Sequence, residues 1–325
     1  MRLLSRSDVE KLITMKETLG LMKDVFSEVA KNAAILPERT VIELSNKTDA
    51  VLFMPAYIPR TSAIGIKIVS IFPNNVLKGI PTTTAQILLN NPDTGEVLCI
   101  MDGGIVTALR TGAVSGVATD ILSRRDAENL GVFGAGVQAK TQIEAILEVR
   151  KINCVKIYDI NSASAQKLAS EMDEINACTC RFQAVESPDA VVTNSDIVVT
   201  ATTSKTPVFD GNLLRPGTHI NSIGSFKPIS REVDDTTIRR SRIFVDSTPH
   251  ALKEAGDLII PIRKGTISER DIQANLGELI TGEKTGRKDV EEITFFKSVG
   301  MAVEDIAVAQ RIYRKAEENN LGILF

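Results

Sequence analysis

A glycine-rich turn near the middle of the chain has the composition of a dinucleotide-binding loop. Residues 134–139 read Gly-Ala-Gly-Val-Gln-Ala, directly after the apolar stretch 130–133 and before a helical pattern that runs to Val149. The first glycine permits a tight turn, the second leaves no Cβ where a pyrophosphate approaches, and the last alanine lets the helix pack closely on the sheet. Because the N–H groups at the helix start would face the phosphates, these residues predict a pyrophosphate site.

The residue after the next predicted strand indicates which dinucleotide would bind. Asp159 follows the stretch 155–158, and an acid at this place can accept hydrogen bonds from both adenosine ribose hydroxyls. Its charge would repel the 2′-phosphate of NADP, and Asn161 and Ser162, which follow it, offer no cation for that phosphate. We therefore expect NAD(H) to be preferred, with NADP(H) possible. The alternative is a glycine turn in a βαβ unit that binds no dinucleotide.

Three cations in the first third of the chain could hold a carboxylate. Arg39 enters a predicted strand, Lys67 lies among aliphatic residues within another, and Arg110 lies in a predicted helix. A lysine in such a position is costly unless it has a partner or faces an open cleft, and a planar guanidinium can hold both carboxylate oxygens. Each cation alone could equally be a solvated side chain, so the prediction depends on their occurring together.

The composition excludes several classes of function. The chain has 325 residues, 43% of them hydrophobic, with a net charge of −3 and a pI near 5.7, so no basic field is available for nucleic acid or an anionic membrane. The cysteines Cys99, Cys154, Cys178 and Cys180 show no paired metal spacing, and we expect no metal centre and reduced thiols. Without a recognisable signal peptide or membrane-length apolar stretch, we expect a cytoplasmic protein.

The two histidines do not indicate a histidine-dependent enzyme. His219 begins a predicted strand and could act as a general acid or base, but a structural role in anchoring a loop is the more ordinary interpretation. His250 follows a proline in a predicted loop and has no obvious partner.

The periodicity of the chain predicts an α/β fold with two domains. Capping boxes beginning at Ser7 and Thr14 open amphipathic helices, and five period-two stretches over residues 40–101 predict antiparallel strands. A helix over about 104–124 leads into alternating strands and helices, typical of a parallel, doubly wound sheet. We predict a Rossmann domain at residues 116–300, inserted into a discontinuous α+β substrate-binding domain of residues 1–115 and 301–325, with the active site in the cleft.

Six motifs then occur in order along nearly the full chain. They are Gly-Ile-Lys at 65–67, Gly-Ile-Pro-Thr at 79–82, Thr-Ala-Leu-Arg-Thr-Gly-Ala at 107–113, Gly-Ala-Gly-Val-Gln-Ala at 134–139, His-Ile-Asn-Ser-Ile-Gly at 219–224, and Ser-Val-Gly-Met-Ala-Val-Glu-Asp at 298–305. In this combination the chain resembles the ornithine cyclodeaminase/mu-crystallin family. The resemblance implies that the discontinuous domain also dimerises through its β strands, so we expect a homodimer.

The resemblance also implies which side chains form the site. Arg39, Lys67 and Arg110 correspond to the cations that hold the substrate carboxylate, and Lys67 and Arg110 are the candidates for a catalytic role. The expected cofactor contacts, from the resemblance and from the loop itself, are Thr82, Thr111, Gly134, Ala135, Gly136, Val137, Gln138, Asp159, Ile160, Asn161, Ile223 and Ser298.

Two departures from the cyclodeaminase pattern change the expected substrate. Leu52 and Phe226 stand where cyclodeaminases carry acidic residues. Ornithine brings a second ammonium group, which these side chains would leave unpaired at a cost of several kcal/mol. Leu52 and Phe226 would instead line a substrate pocket suited to one carboxylate and a hydrocarbon ring.

We therefore expect NAD(P)H-dependent reduction of a cyclic ketimine, Δ1-pyrroline-2-carboxylate or Δ1-piperideine-2-carboxylate, to L-proline or L-pipecolate. Lys67 or a held water would supply the proton to nitrogen. The alternatives are an alanine or other amino-acid dehydrogenase, which Phe226 also weakens, an ornithine cyclodeaminase, and a non-catalytic NAD(P)-binding protein of the mu-crystallin type. In each case the partner would be a small imino or amino acid, and neither nucleic acid nor membrane is expected.

Overall fold

The chain folds into two compact units. A computed structural model describes residues 1–45, 48–175 and 180–325, with one unit formed by Met1–Arg110 and Gly300–Phe325 and the other by Thr111–Val299. We refer to them as the first and the second unit. Their junctions lie at 110/111 and 299/300, against 115/116 and 300/301 in the sequence-based prediction. The first junction falls inside a continuous helix, Gly103–Leu122, so no linker marks it in the sequence.

The elements are numbered along the described parts of the chain. The strands are β1 (Arg2–Leu4), β2 (Thr40–Glu43), β3 (Ala50–Ile58), β4 (Ala63–Ile71), β5 (Thr83–Asn90), β6 (Val97–Asp102), β7 (Asn129–Phe133), β8 (Cys154–Tyr158), β9 (Arg181–Ala184), β10 (Ile197–Thr200), β11 (His219–Ser222), β12 (Ser241–Val245), β13 (Ile272–Asn275), β14 (Ile293–Lys297) and β15 (Ile323–Leu324). The α-helices are α1 (Arg6–Leu12), α2 (Met15–Ala30), α3 (Gly103–Leu122), α4 (Val137–Val149), α5 (Ser162–Ile175), α6 (Pro188–Val192), α7 (Asp235–Arg240), α8 (Thr248–Glu254), α9 (Gly256–Arg263), α10 (Leu276–Thr281) and α11 (Ala302–Glu318).

The first unit is built on a mixed sheet with one covered face. Among the described residues its strand order is β15-β1-β6-β5-β4-β3-β2, with antiparallel pairing from β2 through β6 and β1 parallel to β6. Alternate residues of the long strands, such as Leu52, Met54, Lys67 and Val69, are buried on one face, and α11 packs on β3, β4 and β5. The period-two pattern of the sequence arises from this one-sided burial.

The second unit is a parallel sheet buried on both faces. Among the described residues its order is β13-β12-β14-β11-β10-β7-β8-β9, and every pairing is parallel. Adjacent residues of β10 enter different core clusters: Val199 packs in one and Val198 in the other. Strand order runs in opposite directions from β7, which is the doubly wound arrangement of a Rossmann domain. The predicted α/β fold class is confirmed.

Several sequence-based details were wrong. The first helix is capped by Ser5, whose hydroxyl accepts a hydrogen bond from the Asp8 N–H at 3.3 Å, rather than by Ser7. Of the predicted capping box at Thr14, the hydroxyl half is present: Thr14 Oγ1 accepts a hydrogen bond from the Glu17 N–H at 3.3 Å. His250 lies in α8 rather than in a loop, and its Nδ1 is 2.8 Å from Ser247 Oγ. The strands β1, β9, β13 and β15, which have two to four residues each, were not predicted.

The helix α3 contradicts the expectation that no stretch has membrane-spanning length. It has 20 residues with a mean hydropathy of 1.3, which is long and apolar enough to cross a membrane. However, 72% of this window is buried inside the structure, as in the core helix of a globular protein.

Gly65 in β4 permits the close approach of β5, and replacing it should destabilise the protein. A Cβ at this position would lie 2.3 Å from the Leu88 carbonyl oxygen, which is backbone and cannot move aside. We expect Gly65→Ala to lower the free energy of unfolding by about 3 kcal/mol, measured by denaturant titration. The control is Gly20→Ala in α2, where a Cβ would meet nothing within 4 Å and the helix should gain about 1 kcal/mol. Equal stability of the two variants would contradict this account.

Candidate active site

The glycine-rich loop of the second unit has the shape that a pyrophosphate requires. After β7 the chain turns at Gly134, where φ is +98° and a Cβ would lie 2.4 Å from the Ala201 carbonyl oxygen. Gly136 is the N-cap of α4, and a Cβ there would meet nothing within 4 Å. Ala139 is fully buried against the sheet. The backbone N–H groups at the start of α4 are therefore open to an anion.

Asp159 is fixed beside this loop by two backbone donors. Its Oδ2 accepts a hydrogen bond from the Ala135 N–H at 2.9 Å, and its Oδ1 accepts one from the Asn161 N–H at 2.8 Å. A carboxylate has about four lone-pair sites, so capacity for ribose hydroxyls remains. Ile160 is 95% exposed. The direct link from Asp159 to the glycine loop was not anticipated from the sequence.

The remaining predicted cofactor residues differ in burial. In the second unit Thr111 is buried and its carbonyl oxygen accepts from Gln142 Nε2 at 3.2 Å, while Ile223 is also buried. Ser298 donates to Asp246 Oδ2 at 2.9 Å. Val137, at the open start of α4, is 60% exposed. In the first unit, Thr82 is exposed.

Gln138 stands apart from these residues because part of its side chain is buried without a partner. Its Oε1 has no hydrogen-bond partner among the described residues. An orphaned acceptor next to the glycine loop is suited to a donor that arrives with a ligand.

A buried carboxylate that the sequence did not reveal fixes the loops after β10 and β11. Glu232 is fully buried, and its two oxygens accept from Thr200 Oγ1 at 3.0 Å, Thr202 N at 2.7 Å, Gly224 N at 2.7 Å and Ser225 N at 3.1 Å. Burial raises the pKa of this carboxyl. These bonds fix the backbone of the segment from Ile223 to Phe226, both of which are predicted site residues.

A buried ion pair supports Glu232 from behind. Lys297 Nζ lies 2.9 Å from Asp257 Oδ2, and both side chains are fully buried. The other oxygen of Asp257 accepts from the N–H groups of Glu232 at 2.6 Å and Val233 at 3.1 Å. The loops at the carboxyl ends of the parallel strands, where such sheets bind ligands, are thus held by side chains from β14 and α9.

In the first unit the structure brings together Lys67 and Arg110 on one carboxylate. Lys67 Nζ lies 2.6 Å from Asp305 Oδ2, and Arg110 Nε lies 3.0 Å from Asp305 Oδ1. Arg110 Nη1 also contacts Glu304 Oε2 at 2.5 Å. All four side chains are buried. Glu304 and Asp305 were missed as site residues because adjacent acids at a helix start are also what the helix dipole favours.

Arg39, the third predicted cation, reaches the same segment of chain. Its Nη2 donates to the Gly300 carbonyl oxygen at 2.5 Å. Gly300 has a φ of +78°, and a Cβ there would lie 2.4 Å from Arg110 Nη1. Gly300 therefore contacts two of the three cations, and its lack of a side chain allows the guanidinium of Arg110 to occupy this place.

The pKa values of the two buried cations are shifted in opposite directions. Burial lowers the pKa of Lys67 from 10.5 to about 8, against the opposing attraction of Asp305. Burial also acts against the charge of Arg110, but Asp305 and Glu304 outweigh it and raise the pKa of the guanidinium. Lys67 is therefore the member of the cluster that can release a proton near neutral pH.

The neighbours of Lys67 in the sheet are apolar. Met54 is its partner in the register of β3 and β4, and Leu52 is the partner of Val69 on the same buried face. Leu52 is thus a diagonal neighbour of Lys67 across the strand pair. Phe226, which belongs to the second unit, is 38% exposed.

His219 has the environment of a structural residue. It is fully buried, and its Nδ1 lies 2.9 Å from Thr294 Oγ1 on the adjacent strand. Burial, together with Arg287, lowers the pKa of this imidazole from 6.5 to about 3. It is therefore neutral at physiological pH and is not suited to donate a proton.

Comparison with known proteins identifies the chain's family. Residues 1–320 match the model of the ornithine cyclodeaminase/mu-crystallin family. This chain belongs to that family. The resemblance inferred from the six motifs is confirmed.

Three relatives match it over almost its whole length. The chain is 38% identical over 323 residues to a Δ1-pyrroline-2-carboxylate reductase of Bacillus cereus, covering 99% of this chain and 98% of the reductase. It is 45% identical, with a TM-score of 0.97 and 100% coverage of both chains, to the structure of a Thermococcus litoralis Δ1-pyrroline-2-carboxylate reductase in complex with NADH and L-proline. An archaeal alanine dehydrogenase dimer with bound NAD is 34% identical, with a TM-score of 0.93 and coverage of 100% and 99%.

Proposed function

We propose that this protein is an oxidoreductase that reduces Δ1-pyrroline-2-carboxylate or Δ1-piperideine-2-carboxylate to L-proline or L-pipecolate, with NADH as the preferred cofactor. The observation that carries the proposal is the full-length similarity, at 45% identity, to the Thermococcus litoralis reductase in complex with NADH and L-proline. The arrangement of the described side chains supports it at each part of the reaction.

The second unit offers the groups that would hold the dinucleotide. The open N–H groups at the start of α4 would bind the pyrophosphate, and Asp159 would accept from the ribose hydroxyls. The unpartnered Oε1 of Gln138 offers a further acceptor beside the loop. When bound, the reduced nicotinamide supplies the hydride that adds to the imine carbon.

The first unit offers the groups that would hold the substrate. Arg39, Lys67 and Arg110 would bind its carboxylate, with the last two oriented by Asp305. Leu52, in place of a second acid, leaves no partner for an extra ammonium and suits a hydrocarbon ring. When the hydride adds to the imine carbon, the ring nitrogen takes up a proton. Lys67 Nζ or a held water donates this proton, and solvent later reprotonates the donor.

An alanine or other amino-acid dehydrogenase is the second candidate, because the archaeal alanine dehydrogenase is 34% identical over the full chain. That reaction requires capture or release of ammonia, for which the aspartate replaced by Phe226 would be a natural proton acceptor. Ornithine cyclodeamination is disfavoured by Leu52 and Phe226 together. A non-catalytic NAD(P)-binding protein is disfavoured by the retention of all three cations.

We further propose a cytoplasmic homodimer that forms through the sheet of the first unit. The face of this sheet opposite α11 carries partly exposed apolar residues, among them Phe53, Tyr57 and Ile66, and the archaeal relative is a dimer. A reducing compartment is supported by Cys99, Cys154 and Cys180, which are free thiols, while Cys178 lies outside the described residues.

A substrate panel tests the proposed reaction. We expect the purified protein to oxidise NADH with either cyclic imine, and to be at least tenfold slower with pyruvate plus ammonium, since no acid stands at position 226 to handle ammonia. Loss of NADH absorbance is the measurement, and ornithine with NAD is assayed in parallel. Arg110→Ala should abolish turnover while NADH fluorescence still reports binding. Oxidation of NADH only when pyruvate and ammonium are present would favour the dehydrogenase.

Removing Asp159 should change the cofactor preference. Asp159→Ser deletes the charge that would repel a 2′-phosphate, so we expect the ratio of kcat/KM for NADH over NADPH to fall by about tenfold to a hundredfold. Steady-state kinetics with both cofactors provide the measurement. The control is Asp189→Ser, which removes an exposed carboxylate from the first turn of α6 in the same unit. An unchanged ratio in Asp159→Ser would show that another residue sets the preference.

The pH profile tests Lys67 as the proton donor. Because the pKa of Lys67 is lowered to about 8, the ammonium is present below that pH and is lost above it. Reductive kcat should therefore fall about tenfold per pH unit above 8. Lys67→Arg retains the charge but does not titrate in this range, so its lower activity should not show the alkaline decline. If the variant kept the same decline, a held water or the substrate would be the donor.

A further inference from the structure

A cavity of about 110 Å³, open to solvent, lies within the first unit, apart from the residues of the candidate active site. The helices α2 and α11 form its two walls, and the turn between β3 and β4 also lines it. Its floor is apolar and includes Val25, Ile58 and Ala307. This volume is several times the roughly 10 to 15 Å³ that one water needs, so the cavity can hold a small molecule.

The two walls of the cavity carry opposite charges. Asp24 and Glu28 lie one turn apart on the wall formed by α2. Arg311 and Arg314 lie about one turn apart on the wall formed by α11. An apolar floor between an acidic and a basic wall is complementary to a molecule with an anion at one end and a cation at the other.

Two of these four charged groups, Glu28 and Arg311, form ion pairs with neighbouring side chains. Arg60 Nη1 lies 3.2 Å from Glu28 Oε1, and Arg311 Nε lies 2.6 Å from Glu17 Oε1. In the part of the chain that the structure describes, Asp24 and Arg314 form no ion pair.

The contacts of Arg314 leave its charge available to a ligand. It donates to the carbonyl oxygen of Thr61, which also lines the cavity, at 3.1 Å, and this neutral acceptor does not neutralise the guanidinium. Together with Asp24, this leaves one carboxylate and one guanidinium available, on opposite walls.

We propose that this cavity binds the zwitterion of a small apolar amino acid. Its carboxylate pairs with Arg314, where a planar guanidinium can bind both oxygens, and its ammonium pairs with Asp24. Its side chain covers the floor at Val25 and Ala307. A dianion or a dication would leave one wall unpaired. Because the paired groups are exposed, we expect a dissociation constant of about a millimolar. This proposal does not depend on the reaction proposed above.

Calorimetric titration of the full chain with L-leucine tests the site. We expect one binding event that weakens at least tenfold in Arg314→Gln and in Asp24→Asn, since each removes one of the two charges. The matched control is Arg263→Gln, which makes the same chemical change at an exposed position on α9 and should bind as the unmodified protein does. Circular dichroism confirms folding. Absence of binding to the unmodified protein at millimolar L-leucine, or equal affinity in all variants, would overturn the proposal.

Two analogues test whether both charges are recognised. L-leucinamide lacks the carboxylate and N-acetyl-L-leucine lacks the ammonium, while both keep the side chain. Each should bind at least tenfold more weakly than L-leucine. If either bound as tightly as L-leucine, the site would recognise only an apolar group with one charge, and the zwitterion proposal would be wrong. Binding of L-leucine at another place on the protein would survive in both cavity variants, and so counts against the proposal as well.

Discussion

The first unit depends on one buried carboxylate, that of Asp305, which accepts from two cations at once. Lys67 comes from β4, Arg110 from α3 and Asp305 from α11, so a single group connects a strand and two helices. Two cations can be buried side by side only if anions compensate them, and loss of one member of such a network costs about 3 to 5 kcal/mol. The unit must therefore include the C-terminal helix, which explains why this domain is discontinuous in sequence.

The second unit uses the same kind of interaction to hold loops instead of cations. Glu232 accepts from backbone and side-chain donors of the segments after β10 and β11, and Asp257 with Lys297 supports it. The backbone N–H groups of Thr202 and Ser225 in these irregular segments find their acceptor in Glu232, because the sheet has ended there. Asp305 in the first unit and Glu232 in the second are buried acids that bind no ligand in our proposal. Each determines the position of the neighbouring residues that would bind a ligand.

The sequence was most informative where the chemistry is local. The glycine loop and Asp159 belong to one βαβ unit, and each has a constraint that a single residue type satisfies, such as the positive φ of Gly134. The position of Lys67 was recognised as costly without a partner, but the partner lies 238 residues away in the sequence. No local pattern reports such a distance. Glu232 was missed for the same reason, since a single acid in a polar stretch is usually solvated.

The same constraints explain how substrate selectivity can differ on an unchanged scaffold. The backbone before Phe226 is fixed by the bonds from Gly224 and Ser225 to Glu232, and that of Leu52 by pairing with Val41 and Val69. Because neither backbone depends on the side chain at position 52 or 226, an acid or a hydrocarbon can occupy these positions without moving the main chain. The cations and their acids form a separate network. In our proposal, recognition of the carboxylate is therefore independent of whether a second ammonium finds a partner, and two side chains suffice to separate a ketimine from a diamino acid.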